Sequence, residues 1–327
     1  MSVRVLTVVS TALASNPLGD PHVRALPVIV PDDLREGERV PCVWFLAGYA
    51  GLGARMLSHD PWEEGLQERL IRLRREGRIG KMLVALPDAF TRWGGSQYIS
   101  SGAHGDYGKY LAEELPASVE ACFDVSGHGV VGKSSGGYGA LVLGMRHPSR
   151  FRAVACHSGD MGFRLAYTPD IPALMNAVAK HGSLEAFARA FDAAAKKKDG
   201  RWFAPISVLA MCAAYSPDPT QPLGVALPFS LERGEIDERV FIRWLEHDPV
   251  VLVDRSDVQA SLRKLALLFV DCGSRDEHHL QWGARAFARK LRTYGIAHTH
   301  EEFDDGHRST SYRLDESLPK LFAALNS

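Results

Sequence analysis

The chain has 327 residues, of which 46% are hydrophobic and 24% are charged, and its formal net charge at pH 7 is −1. These values are ordinary for a soluble globular protein, and they give no electrostatic reason to expect a nucleic acid or a membrane as a partner. No window approaches the roughly 18 apolar residues of a transmembrane helix. The cysteines are widely spaced and odd in number, which predicts reduced thiols in a cytoplasmic protein.

The first half of the chain alternates predicted strands with predicted helices. Strands are predicted at 3–9, 26–30, 42–46, 82–86, 128–131 and 151–157, and helices at 62–76, 106–123 and from the glycine-rich stretch to about His147. Pro116 is a candidate kink in the second of these helices, and residues 89–104 form a long polar and aromatic loop. The alternation predicts a mostly parallel sheet with helices on both faces.

The pattern changes between residues 160 and 263. Helices are predicted there at 171–180, 184–198, 205–215 and 237–245. We interpret this segment as a helical insertion, or lid, within a single domain of residues 1–327. Strands at 265–270 and 298–303 and helices at 277–294 and 312–325 then restore the α/β pattern.

The glycine-rich stretch 132–140 reads Gly-Lys-Ser-Ser-Gly-Gly-Tyr-Gly-Ala and fits the G-x-S-x-G nucleophile elbow, with Ser134 at its centre. Residues 127–134 also fit the phosphate-binding P-loop, G-x-x-x-x-G-K-[ST]. A P-loop needs a strand that ends before this motif, where residues 123–126 make a poor strand. An elbow needs its strand directly before the serine, where residues 128–131 supply one. The sequence therefore favours the elbow, with a nucleotide-binding P-loop protein as the alternative.

Partners for a serine nucleophile follow in the chain order serine, acid, histidine. Asp276 comes after a late buried strand, and His307 lies on the loop between the last strand and the terminal helix. We predict that His307 accepts the proton of Ser134 and that Asp276 orients the imidazole. The backbone N–H groups of Ser135 and of Tyr49, or of the residue after Tyr49, are predicted to form the oxyanion hole.

With these residues in place, the chain resembles the esterases of the esterase D group, which includes S-formylglutathione hydrolases, enterochelin-esterase-like proteins, feruloyl-type esterases and mycolyltransferases. The motifs that carry the resemblance lie at 46–51, 87–88, 95–98, 105–107, 132–140, 271–276 and 306–307. It implies an α/β-hydrolase fold, no metal or other cofactor, and hydrolysis of a small-molecule ester or thioester by Ser134, Asp276 and His307. The chain departs from many relatives at Lys133 and Tyr138, where histidine is frequent, and the insertion leaves the substrate open.

Several other residues are rivals or candidate substrate contacts. Ser135 is an alternative nucleophile. Asp271 follows directly on the predicted strand 265–270 that precedes Asp276, so it is an alternative to Asp276 as the acid. Asp271 would also suit the acid at the end of a Walker B strand in a P-loop protein. His278 and His279 are predicted to open a helix on the surface. The candidate substrate-binding residues are Trp93, Gln97, Tyr98 and Arg308. For the three loop residues among them, packing against the insertion is an equal alternative.

The same predicted triad would also serve an acyltransferase, which passes the acyl group to an alcohol instead of water. The sequence does not separate this activity from hydrolysis, because the difference lies in which acceptor the insertion admits. A catalytically inactive hydrolase fold is disfavoured, since all three residue types of the triad are present. A homo-oligomer is compatible with the sequence.

Overall fold

The computed structural model describes every residue from Met1 to Ser327 and is built on an eight-stranded sheet. Its strands are β1 (Ser2–Val9), β2 (Val23–Val30), β3 (Val40–Leu46), β4 (Leu83–Ala85), β5 (Val125–Lys133), β6 (Phe151–His157), β7 (Leu267–Gly273) and β8 (Thr299–Phe303). Their order across the sheet is β1-β2-β4-β3-β5-β6-β7-β8. β2 runs antiparallel to both of its neighbours, β1 and β4, and every other adjacent pair in the sheet is parallel. The mostly parallel sheet predicted from the sequence is therefore confirmed.

Helices cover both faces of the sheet. They are α1 (Leu66–Arg75), α2 (Tyr107–Lys109), α3 (Leu115–Glu120), α4 (Ser135–Arg146), α5 (Phe163–Ala166), α6 (Ile171–His181), α7 (Leu184–Ala193), α8 (Gly200–Tyr215), α9 (Glu238–Leu245), α10 (Pro249–Leu252), α11 (Ser256–Leu262), α12 (Leu280–Thr293) and α13 (Leu314–Leu325). One apolar cluster packs α1 and α13 against one face of the sheet. A second cluster packs α3, α4, α10, α11 and α12 against the other face. In α1 the leucines at 66, 70 and 73 recur at helical spacing, and all three are buried.

The helix predicted at 106–123 is a composite of three segments. A π-helical stretch, Tyr110–Glu114, joins α2 to α3 without a break. Pro116 lies in the first turn of α3, where its missing N–H leaves one backbone carbonyl without a helical partner. A wide π turn is one way in which a helix absorbs such a defect. The proline therefore alters the winding of this helix and does not end it.

The structure corrects two predicted boundaries, the start of the first helix and the start of the fifth strand. The first helix begins at Leu66 and not at residue 62, because Gly65 caps it in an extended conformation and donates its N–H to Glu68. The fifth strand begins at Val125, because Val125 pairs with Val40 of β3. Residues 125–133 thus form one continuous strand. A P-loop would need most of these residues in a loop around phosphate, and the strand contradicts that alternative.

The segment 160–263 carries α5 to α11, of which the short helices α5, α10 and α11 were not predicted. Its own apolar cluster includes Tyr138 and Val142 of α4 and Ile99 of the long loop, so these helices pack onto the α/β layers. The interpretation as an insertion within one domain of residues 1–327 stays a prediction. No helix in the chain has the length and apolar character needed to cross a membrane.

His104 provides a test of how the fold responds to acid. The ring is buried against the edge of Tyr107, its two nitrogens have no side-chain partner, and burial lowers its pKa to about 4. An unfolded histidine takes up its proton near pH 6.5, so between pH 6.5 and 4 the unfolded chain binds more protons than the folded one. This histidine should lower the free energy of unfolding by up to about 1.4 kcal/mol per pH unit as the pH falls through that window.

Substitution of His104 by phenylalanine should flatten the pH dependence by that amount, because the aromatic contact is kept and the titration is removed. Denaturant unfolding at several pH values between 4 and 7 measures the slope. The matched control is His59→Phe, which replaces a histidine whose side chain is exposed and which therefore lacks the burial on which the prediction depends. Equal slopes for wild type and the His104 variant would contradict the expectation.

Candidate active site

The carboxyl ends of four adjacent parallel strands, β3, β5, β6 and β7, meet at one edge of the sheet. Leu46 lies beside Gly132, Lys133 beside His157, and His157 beside Asp271 in the ladder. The loops that follow these strands therefore begin close together in space, although they are far apart in the sequence. This is the edge at which α/β sheets bind ligands.

Ser134 occupies a strained turn between β5 and α4. Its φ is 58° and its ψ is −127°, a conformation that costs free energy for a residue with a side chain. The turn is close enough that a Cβ on Gly132 would lie 2.2 Å from the Gly136 carbonyl oxygen, and a Cβ on Gly136 would lie 2.1 Å from that of Leu46. Glycine at both positions is thus a steric requirement of the turn, as the elbow motif predicts.

Asp276 and His307 come together beside this turn. The Oδ2 atom of Asp276 lies 2.7 Å from Nδ1 of His307, and the carboxylate side chain is fully buried. Burial opposes its charge, but the hydrogen bond and charge of His307 and the N–H of His278 outweigh burial and lower the pKa of Asp276. The carboxylate therefore keeps its charge to lower pH than an ordinary aspartate does. The ring of His307 packs edge-on against His278 at 4.7 Å.

Asp271, the rival acid, has different partners. Its Oδ1 lies 2.7 Å from Nδ1 of His157, and its Oδ2 accepts a hydrogen bond of 2.8 Å from Arg313. The other ring nitrogen of His157 lies 2.8 Å from the hydroxyl of Ser317. Asp271, His157 and Ser317 are all buried, so this second serine–histidine–aspartate arrangement is closed to a substrate. These hydrogen bonds connect β6 and β7 with α13.

Three backbone N–H groups near the turn, those of Tyr49, Ala50 and Ser135, make no backbone hydrogen bond. The N–H of Ser135 is the first of α4, and the first N–H groups of a helix have no partner within it. Tyr49 and Ala50 lie in the turn after β3, and both residues, like Ser135, contact the same cavity as Ser134. The hydroxyl of Ser135 is not free, because it donates to Asp160 at 2.9 Å. That bond disfavours Ser135 as the nucleophile.

A cavity of about 450 Å³ lies over the serine turn. Of the predicted residues, Tyr49, Ser134, Ser135, His307 and Arg308 line it, and Asp276 lies behind His307. The insertion supplies an apolar wall, and Phe203 of α8 packs edge-on against Tyr49 at 5.8 Å. The volume is in the range of sites for small molecules.

Three predicted substrate contacts do not reach this cavity. Trp93, Gln97 and Tyr98 are all buried and lie behind its wall. Trp93 packs in the apolar cluster of the insertion, and the hydroxyl of Tyr98 donates to the carbonyl of Ala47 at 2.6 Å. The long loop packs under the insertion, which is the alternative that the sequence left open. These residues thus support the site from behind.

Three further residues that the sequence did not assign to the site also line the cavity. Lys133 does so, and its pKa is lowered by burial, an effect that the charge of Asp276 opposes. His278 faces the cavity because α12 starts only at Leu280, after a left-handed residue at position 279. Asp160 follows the end of β6, and its position after a parallel strand was the one signal available for it.

Comparisons with known proteins agree with this architecture. The family model described as "Putative esterase" matches residues 22–321. The structure is similar to that of a ferulic acid esterase, with a TM-score of 0.62 and 20% identity over 99% of this chain and 98% of the other. It is also similar to an S-formylglutathione hydrolase from Agrobacterium tumefaciens, with a TM-score of 0.59 and 17% identity over 99% and 95% of the chains.

A further likeness is to the fluorophosphonate-binding serine hydrolase FphF of Staphylococcus aureus, with a TM-score of 0.58 and 16% identity over 100% and 99% of the chains. No curated protein matches the sequence significantly. The strand order, the strained serine turn and these likenesses define an α/β-hydrolase fold. The chain belongs to the esterase family, a family of enzymes that hydrolyse esters.

Proposed function

We propose that the protein is a serine esterase that cleaves a small carboxylic ester or thioester through an acyl-enzyme on Ser134. The observation that carries the proposal is the 2.7 Å pairing of Asp276 with His307 on the cavity that Ser134 lines. A nucleophile, a base and a group that orients the base are the minimal set for this chemistry.

In the proposed mechanism, Asp276 holds the proton on Nδ1 of His307. This leaves Nε2 as the nitrogen that accepts the proton of Ser134 while the serine oxygen attacks the ester carbonyl. Asp276 also stabilises the imidazolium that forms, and its lowered pKa keeps it charged for that role. His307 then protonates the departing alcohol or thiol and activates a water molecule to release the acid.

The proposed oxyanion hole consists of the N–H groups of Ser135 and Tyr49. Both residues contact the cavity at the serine turn, and the helical position of Ser135 adds the favourable dipole of α4 for negative charge. A donor of this kind is worth roughly 3 kcal/mol of the barrier. The hydroxyl of Tyr98 donates to the carbonyl of Ala47, two residues before Tyr49, and so helps to fix this loop.

A fluorophosphonate probe tests the proposal directly, because it reacts with activated serines and not with ordinary ones. We expect stoichiometric labelling of the native protein, and peptide mapping should place the label on Ser134. Hydrolysis of a short-chain nitrophenyl ester should stop in proportion to labelling. Absence of labelling, or a label on another serine, would rule out Ser134 as the nucleophile.

A further inference from the structure

Asp160 is a buried carboxylate on the wall of the cavity that Ser134 also lines. Its exposed fraction is 6%, it lies on the loop after β6, and its backbone N–H points to the carbonyl of Ser134 at 3.4 Å. Burial of a carboxylate is costly unless its oxygens are satisfied. The surroundings of the two oxygens are very different.

One oxygen, Oδ2, is saturated. It accepts hydrogen bonds from the hydroxyl of Ser135 at 2.9 Å, from Nε2 of Gln97 at 3.0 Å and from the hydroxyl of Tyr167 at 2.9 Å. The amide of Gln97 is itself held by the hydroxyl of Tyr215 at 3.0 Å. All of these donors are neutral, so the carboxylate meets no cation among its hydrogen-bond partners.

The other oxygen, Oδ1, has no hydrogen-bond partner within the chain and is not enclosed by protein atoms, whereas the residue lines the cavity. The structure therefore holds a carboxyl group at a fixed position on the cavity wall, with one oxygen to which no group of the chain donates. If Asp160 served only to position the side chain of Ser135, it would need only Oδ2. A ligand group that displaces solvent from Oδ1 has to supply a hydrogen-bond donor in its place.

We propose that Oδ1 of Asp160 accepts a hydrogen bond from a hydroxyl or ammonium group on the acyl part of the substrate. This inference rests on the function proposed above and narrows the substrate class to esters of hydroxy or amino acids. The acyl part is assigned because the leaving group must be reached by His307, whereas Asp160 hydrogen-bonds to Ser135 beside the oxyanion hole. None of the hydrogen-bond partners of Asp160 contacts His307 through a hydrogen bond.

The test compares nitrophenyl esters of plain acids with matched esters that carry one donor: butanoate, β-hydroxybutanoate and β-aminobutanoate, and hexanoate with its ω-hydroxy and ω-amino forms. We expect wild type to prefer one donor-bearing ester over the plain one by between about tenfold and a hundredfold in kcat/KM, as for hydrogen bonds to charged groups. The hydroxyl and ammonium series show which donor the site takes.

Asp160→Asn gives the decisive comparison. The three donors on Oδ2 fix the amide oxygen on their side, so the NH2 group takes the place of Oδ1 and presents donors to the cavity. The preference should fall to about one or invert, even if kcat drops for all esters. The matched control is Asp170→Asn, a second carboxylate on the cavity wall that makes no such set of hydrogen bonds, and it should keep the wild-type preference.

Three results would overturn the inference: equal use of plain and donor-bearing esters by wild type, an unchanged preference in Asp160→Asn, or an equal loss in Asp170→Asn. If Asp160→Asn does not fold, wild-type inhibition by the same free acids decides, since donor-bearing acids should bind more tightly. Hydrolysis of plain esters without a preference would refute this inference alone. No hydrolysis of any ester and no labelled Ser134 would refute the proposed function as well.

Discussion

Replacement of Ser134 by alanine should lower kcat for a short-chain nitrophenyl ester by about 10⁶-fold, the loss seen when a triad serine is removed. The remaining groups would still bind the ester, but no oxygen would be placed to attack its carbonyl. The fold should stay intact, because the change removes one atom at a cavity wall and leaves the glycines of the turn in place. Turnover and the thermal midpoint of the purified variant measure the two effects.

Ser135→Ala is the natural control for this variant. The two serines are adjacent, but the hydroxyl of Ser135 already donates to Asp160. Fluorophosphonate should therefore still label Ser135→Ala, and it should not label Ser134→Ala. The reverse result would make Ser135 the nucleophile and would contradict the assignment of the elbow centre.

Substitution of the two aspartates near the end of β7 should have different effects, a loss of catalysis at Asp276 and a loss of stability at Asp271. Asp276→Asn should lower kcat by about 10⁴-fold, because an amide beside Nδ1 of His307 favours the wrong tautomer for proton transfer. Its effect on the free energy of unfolding should be smaller than its effect on catalysis. Steady-state kinetics between pH 6 and 9 measure the loss.

Asp271→Asn should instead act mainly on stability. This carboxylate is fully buried between His157 and Arg313, and removal of one member of a buried ion pair costs about 3 kcal/mol or more. The variant should unfold at lower denaturant concentration, while kcat of the folded fraction falls far less than in Asp276→Asn. If Asp271→Asn proved to be the inactive variant and Asp276→Asn the unstable one, the proposed roles would be exchanged.

Local features of the sequence were sufficient for the fold class and for the serine turn. Apolar runs and helical spacing depend on neighbours within a few residues, so the strands and most helices could be predicted to within a few positions. The elbow could be predicted because glycine at 132 and 136 is required by the close approach of β3, β5 and α4. The start of the fifth strand was misplaced because a distant strand extends it, as Val40 pairs with Val125.

The partners of the candidate catalytic groups depend on the tertiary structure. Asp271 and Asp276 are separated by a short turn in the sequence, yet one faces His157 and the other His307. The choice depends on strand register and on the course of two loops, which no local pattern encodes.

The sequence by itself thus determined the α/β class, the turn that carries Ser134 and the chain order of its candidate partners. Only the tertiary structure decided which aspartate meets His307 and that Gln97 lies behind the cavity. The physical reason is the separation along the chain of the residues that interact. Backbone conformation and burial periodicity are set by neighbours along the chain, whereas the hydrogen bond between Gln97 and Asp160 joins side chains that are 63 residues apart.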